Sequence, residues 1–265
     1  MDGGRVQTRE KQGENGSRWR EDKVSAITSY LPGDGTADHP PTPLVTTYVA
    51  TMEKLVLERS EGTEAFGKLV HVEAERRGMR QAATVPVMGD GENWIDPLSD
   101  REGLHDRRIV DYYHAAEHLH EAARAARGKD TPESWALAGQ LKDASWDGQL
   151  DQVIATLKTH AERLGAPQAC DGPDHPRRVL ATNVGYFETH RHHMDYPTFR
   201  RKGWPIGSGV TESAVKQFNK RVKGTEQFWS VPGVESILSL RALWLSQDGR
   251  WERYWNTRPA YSKAA

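Results

Sequence analysis

Every segment with the two-residue period of a β-strand lies in the first 110 residues of this 265-residue chain, and from Tyr113 onward the apolar pattern is helical. That division admits few architectures. The early strands must build a sheet, and the later helices must cover it or form a layer of their own. Arg5 to Arg9 alternates apolar and polar residues, the Gly-rich stretch from Gln12 to Ser17 reads as a turn, and Trp19 to Tyr30 returns as a second strand. After a Pro/Gly-rich loop from Pro32 to Pro43, Leu44 to Ala50 is predicted as a third strand. Glu64 to Arg77 has helical spacing (Phe66, Leu69, Val70, Val72), with Gly78 as its stop. Residues 83–88 form an apolar strand weakened by Pro86 and followed by Gly89-Asp90-Gly91, and Arg108 to Val110 is another, ending at Asp111.

The helical part opens with Tyr113 to Arg127, rich in Ala and closed by Gly128. Residues 132–200 are predicted to be mostly helical, with Trp135, Leu137, Leu141, Leu150, Val153, Ile154 and Leu157 as the packing face. Gly207-Ser208-Gly209 precedes a basic helix from Thr211 to Lys223, and Val231 to Ser246 is the most hydrophobic helix, followed by a tail carrying Trp251 and Trp255. The expected class is α/β.

Composition excludes several functions. Hydrophobic content is 36% and no run approaches the roughly 20 apolar residues of a spanning helix. The single cysteine, Cys170, forbids an internal disulfide and suits a reducing cytoplasm, and MDGGRVQTREKQ lacks the apolar core of a secretory signal. A cytoplasmic location is expected. The net charge of −1 hides an asymmetry: residues 176–265 hold 15 Lys and Arg against 7 Asp and Glu, +8, while the rest holds −9. A near-neutral total therefore leaves room for a polyanionic partner, although solvated surfaces account for the same charges equally well.

Three acids stand where strands end or helices begin: Asp2 before the first hairpin, Asp90 between two glycines after an apolar strand, and Glu212 after Gly-Ser-Gly. Oxygen donors of this type suit hard divalent cations, and two ions about 3.5–4 Å apart could activate an attacking oxygen and stabilise a leaving one. Taken singly, turn or cap chemistry accounts for each acid better. A second cluster, Asp111-Tyr-Tyr-His114-Ala-Ala-Glu-His118, contains the H-x-x-E-H order of a zinc peptidase, with His114 and His118 on one helical face. No third ligand stands out, and the simpler reading packs His114 against the sheet, hydrogen-bonded, with His118 and His120 partly exposed. His190, His192 and His193 read as an exposed basic face. The basic helix presents Lys216, Lys220, Arg221 and Lys223, with Phe228 and Trp229 just beyond, an association of cations and rings suited to DNA phosphates and unpaired bases.

The blocks MDGGRVQTR, WREDKV, GDGENWI, DYYHAAEHL, YPTFRRKGWPIGSGVTESAVK and RVKGTEQFWSVPGVESILSLRALWLS with WERYW together resemble, in order and over nearly the whole chain, the bacterial insertion-sequence transposases of the ISKra type. These belong to the broader DDE group. The resemblance implies a ribonuclease H-like mixed sheet flanked by helices, with a large helical insertion before the third carboxylate: residues 1–127 as the first part of the core, 128–200 as the insertion, and 201–265 as its C-terminal part with a basic helical tail. It implies Asp2, Asp90 and Glu212 as catalytic carboxylates holding two Mg²⁺ or Mn²⁺ ions, and Asp111 and His114 as an accessory pair. It further implies hydrolysis and strand transfer at transposon ends, with double-stranded DNA as partner and a homo-oligomer assembled on it. The resembled family carries a region before its DGGR block with the strand that enters the first aspartate, so a truncated core lacking that strand is expected here. The histidines near 190–193 and the GTEQFW run depart from the family's pattern. A catalytically dead remnant that only binds DNA is the alternative, and a zinc hydrolase is a further one.

Overall fold

The computed structural model describes residues 2–12, 16–36, 38–52, 62–92, 95–224 and 226–258, with the backbone alone at Asp2, Gln12, residues 62–65, Asp96 and His105. Most of the Gln12–Ser17 turn lies outside the described residues. Three long strands, β1 (Asp2–Gln12), β2 (Ser17–Leu31) and β3 (Thr42–Thr51), form an antiparallel sheet in that order. Asp2 pairs with Val24, and Val24 in turn with Ala50. The strand thus begins at the aspartate and runs away from it, through the residues that follow.

Helix α1 (Gly62–Arg76) ends at Gly78, whose φ of 79° is the left-handed conformation that stops a helix. Strand β4 (Val87–Gly89), helix α2 (Ile95–Arg101) and strand β5 (Arg108–Val110) follow, with β4 and β5 paired in parallel. The sequence pattern gave no sign of α2, whose turn-rich DPLSDR hides the periodicity. Helices α3 (Tyr112–Arg127), α4 (Pro132–Trp146), α5 (Leu150–Leu164), α6 (Pro176–His190) and α7 (Tyr196–Arg201) form one bundle, and α8 (Gly209–Val222), α9 (Val231–Leu245) and α10 (Arg250–Asn256) complete the chain. No described helix is long and apolar enough to cross a membrane.

The described strands do not join into the single mixed sheet that the resemblance implies. Among the described residues the strands make two sheets, with no ladder joining β1 to β4. Local chemistry accounts for this. Pro86, just before β4, has no N–H to give to a ladder. At Gln7–Arg9, moreover, the free edge of β1 is taken by a short parallel bridge to Trp229. The class α/β holds.

Alternation along β3 decides where the helices sit. Tyr48 and Ala50 face α8 and α9 in a core with Val6, Val24, Phe218 and Leu238, while Val49 packs on the other side toward Phe66 of α1. A third core, from Leu119 to Phe199, lies within the α3–α7 bundle and reaches β5 through Ile109 and Val110. Six of the seven predicted packing residues of α4 and α5 are buried there. Trp135 is not: it is half exposed on the outside of α4, with Arg124 of α3 over its ring and His120 at its edge.

The C-terminal third also closes the outer edge of the sheet. The Gln247 amide donates to Thr46 and its side-chain oxygen accepts from the Thr46 amide, both at 2.9 Å, and Ser246 accepts from Tyr48. Glu235 accepts from the amide of Met52. Edge groups that would otherwise template another strand are thereby satisfied within the chain. Behind them, Glu73 of α1 binds Arg250 at 2.6 Å and Arg76 at 2.7 Å, and Asp248 binds the same two arginines.

Candidate active site

Asp111 is the centre of the site. It follows β5, is fully buried, and caps α3, its Oδ1 accepting from the amides of Tyr113 at 2.6 Å and His114 at 3.0 Å. The cap explains why the helix starts here: a carboxylate meets both the unpaired amides and the positive end of the helix dipole. Its other oxygen accepts from the amide of Ser208, ninety-seven residues away. A backbone bond from Tyr112 to Ile206 at 2.8 Å holds the same loop. Gly207 fits beside them because it lacks a side chain, since a Cβ there would stand 2.6 Å from the Tyr113 ring.

Ser208 in turn donates to Glu212 across 3.4 Å, linking Asp111 to the first turn of α8. On the opposite side, the Asp111 amide donates to Gly89, the residue before Asp90. Asp90 is half-buried, and its Oδ1 accepts from the amide of Glu92. Two of the three predicted catalytic acids, Asp90 and Glu212, are therefore tied by short bonded paths to one buried aspartate, although 122 positions separate them in the chain.

The side chain of Asp2 lies outside the described residues, but its backbone can be placed. Gly4 abuts Asn219 of α8, where a Cβ would meet the Asn219 amide at 2.4 Å. Thr8 bridges to Trp229, whose indole N–H donates to Val222 at the end of α8. Strand β1 and helix α8 therefore run in the same direction, with the Asp2 end of the strand toward the Glu212 end of the helix.

Helix α6 supplies a wall that the sequence analysis did not identify. Tyr186 donates to the carbonyl of Asp90 at 2.9 Å and stacks on His118 with ring centroids 3.9 Å apart. Burial pushes the Tyr186 hydroxyl well above its ordinary range, so it stays a donor. His190 is buried rather than exposed as predicted, and it faces Gly91 together with Tyr186. The positions Asn183, Tyr186 and His190 follow one helical stripe, which is the signal that the sequence offered for them.

His118 is the histidine held in place, while His114 is the more open of the two. Asn183 turns its amide nitrogen to Val179, so its oxygen faces His118 Nδ1 at 2.7 Å, which makes that nitrogen the donor. Burial draws the His118 pKa below its usual 6.5, against the opposing pull of Asn183. The predicted zinc pair thus has one member stacked and bonded, and among the described residues no three His, Cys, Asp or Glu side chains converge to hold a metal.

Of the predicted DNA contacts, Lys216, Lys220, Arg221 and Lys223 are exposed on or just past α8. Lys216 makes only a loose exposed pair with Glu212 at 3.9 Å. Trp229 is different: its ring packs on the sheet core and its N–H is spent on Val222, while the neighbouring Phe228 is the exposed ring. Comparison with protein families, with curated proteins and with solved structures returns no match.

Proposed function

We propose that this chain is a transposase of the DDE kind, or a part of one, cutting and joining DNA phosphodiesters with two divalent cations. The observation that supports the reading is the bonded path from Gly89 through Asp111 and Ser208 to Glu212, which ties the segments carrying Asp90 and Glu212 to one buried carboxylate. The order of the elements also supports a ribonuclease H-like core: three antiparallel strands, a helix, two parallel strands separated by a helix, then a helical segment before the third acid.

The donors suit the cations in kind. Asp90 and Glu212 offer carboxylate oxygen at partly exposed positions, one at a strand end and one on a helix, and Mg²⁺ binds through one or two carboxylates while keeping several waters. Asp2 would complete the set from the start of β1. When bound, the ions would supply an activated oxygen nucleophile and charge neutralisation on the leaving oxygen. The residues of the chain do the rest. Tyr186 fixes the loop that carries Asp90 by holding its carbonyl. Asp111 anchors the Gly207–Ser208 turn, and so sets where Glu212 begins its helix. The exposed cations of α8 neutralise phosphates, the largest part of affinity for a nucleic acid.

Incubating the purified chain with supercoiled plasmid and Mg²⁺ or Mn²⁺ tests this. Nicking is expected for the wild type and should disappear in both Asp90→Ala and Glu212→Gln. Salt-sensitive DNA retention without nicking would instead assign the chain to the DNA-binding remnant. Nicking that survives both substitutions would remove the carboxylate assignment.

A further inference from the structure

We propose that the turn end of the β1–β2 hairpin and the turn after α8 form a stacking platform for unpaired nucleotides of a DNA strand. The choice of DNA rests on the transposase reading, whereas the platform itself rests on geometry. Trp19 of β2 and Phe228 of the turn are 43% and 42% exposed, and each has a cation beside it. The Lys223 ammonium lies 5.7 Å from the Trp19 ring centre, and the Arg18 guanidinium 5.4 Å from that of Phe228.

These rings do not sit on free loops. The Trp229 amide donates to Gln7 at 3.1 Å, the Arg9 amide donates to Trp229 at 2.8 Å, and the Arg9 side chain donates to the carbonyl of Phe228 at 3.2 Å. Arg18 also donates across the hairpin to the carbonyl of Arg9. The turn is thus laced to the hairpin as an added strand, and both rings are presented from a braced surface. Pre-ordered rings lose little conformational freedom when a flat partner settles on them.

Flat rings with cations at their rims match the faces of bases and the phosphates between them. A duplex keeps its base faces covered, so the surface favours unpaired nucleotides. Location adds a further argument. From Lys223 back to Glu212 is eleven residues of helix, or about 16 Å along its axis, and Lys220, Arg221 and Lys216 are exposed along that path. A strand gripped at the platform could follow these cations to the carboxylate end of α8. An acidic peptide could meet the cations, but it would give the two rings nothing to stack on.

The test is fluorescence anisotropy on the full chain at fixed salt, using a labelled mixed-sequence 20-nucleotide DNA strand, its duplex, and the same sequence as RNA. The wild type should bind the single strand. Trp19→Ala with Phe228→Ala should weaken that binding by at least about tenfold, as loss of base–ring stacking does, and change duplex binding less than twofold. Trp19→Phe, which keeps a ring, should retain most of the affinity. Photo-crosslinking of a 5-iodouridine-substituted strand to the wild type should mark residues 18–19 or 228, a readout that needs no variant to fold. Equal losses for strand and duplex, no loss at all, or crosslinks only elsewhere would overturn the platform. Ring-dependent binding that favours RNA over DNA would overturn the choice of DNA. Ring-dependent binding of the DNA strand without metal-dependent nicking would sink the transposase reading and leave the platform standing, while nicking with ring-independent binding would do the reverse.

Discussion

Asp111→Ala is expected to be among the most damaging single substitutions in the protein. The side chain accepts three backbone hydrogen bonds from two segments, the start of α3 and the Ser208 turn, at a position with no solvent to replace them. Loss of a helix cap costs about 1 kcal/mol, and a buried donor deprived of a charged acceptor costs about 1.5–3 kcal/mol. Together these come to about 2.5–4 kcal/mol. For a chain of this size each kcal/mol lowers Tm by about 2–4 °C, so calorimetry should show a fall of roughly 5–16 °C. Asp111→Asn keeps one capping oxygen and loses the charged contact to Ser208, so it should fall about half as far. The order wild type, Asn, Ala is the signature of the two-sided role. If Asp111→Ala melts within about 2 °C of the wild type, Asp111 does not hold the α8 turn and the bonded path to Glu212 has no energetic meaning.

Glu73→Ala strips a nearly buried carboxylate from Arg250, whose side chain is itself only 14% exposed and keeps Asp248 as a partner; losing the charged hydrogen bond costs about 1.5–3 kcal/mol. Urea titration should show that loss, and adding Arg250→Met should recover part of it. Asp171 is held by Arg177, and more weakly by the Gln168 amide, at a pKa of about 2 rather than 3.8. Its stabilisation is therefore complete above pH 3.8 and disappears as the pH falls through about 2. Asp171→Asn should flatten the acid limb of the stability–pH curve in that window, and an unchanged limb would refute the pairing. Gly207→Ala should destabilise the wild type by pressing a methyl group into the Tyr113 ring, and Tyr113→Ala should relieve it; a cost that persists in the double variant would point to the backbone instead.

Much of the fold was legible because its signals are local. β5 and the capped helix after it follow from an Ile-Val pair after Arg108, an Asp and an Ala-rich run closed by Gly128, all within twenty-one residues. The positions of Asp90 and Glu212 could be read from the glycines around them. Long-range pairings carried no such mark. Nothing in the chain's periodicity says that Trp229 will pair with β1, that Gln247 will cap Thr46, or that Tyr186 will reach the carbonyl of Asp90. Histidine runs were the most misleading feature, because charge content alone places His190 outside, whereas its position on α6 turns it inward against Gly91.

The two sheet edges explain how the chain's charge asymmetry becomes an arrangement in space. Both are closed by the C-terminal third: the β1 edge by Trp229, and the β3 edge by Glu235, Ser246 and Gln247. Closing them requires α8 and α9 to lie across one face of the antiparallel sheet. Once α8 lies there, its apolar stripe of Ala214, Val215, Phe218 and Val222 must face β1 and β2, which leaves Lys216, Lys220 and Arg221 turned to solvent. The same constraint points the N-terminal end of the helix, with Glu212, toward Asp111 and β4. A basic surface leading to an acidic end is thus a consequence of edge protection and helix amphipathicity. Trp229→Ala, which removes the ring's core packing and its bond to Val222 and so loosens the segment that closes the β1 edge, should disturb both ends of α8 at once.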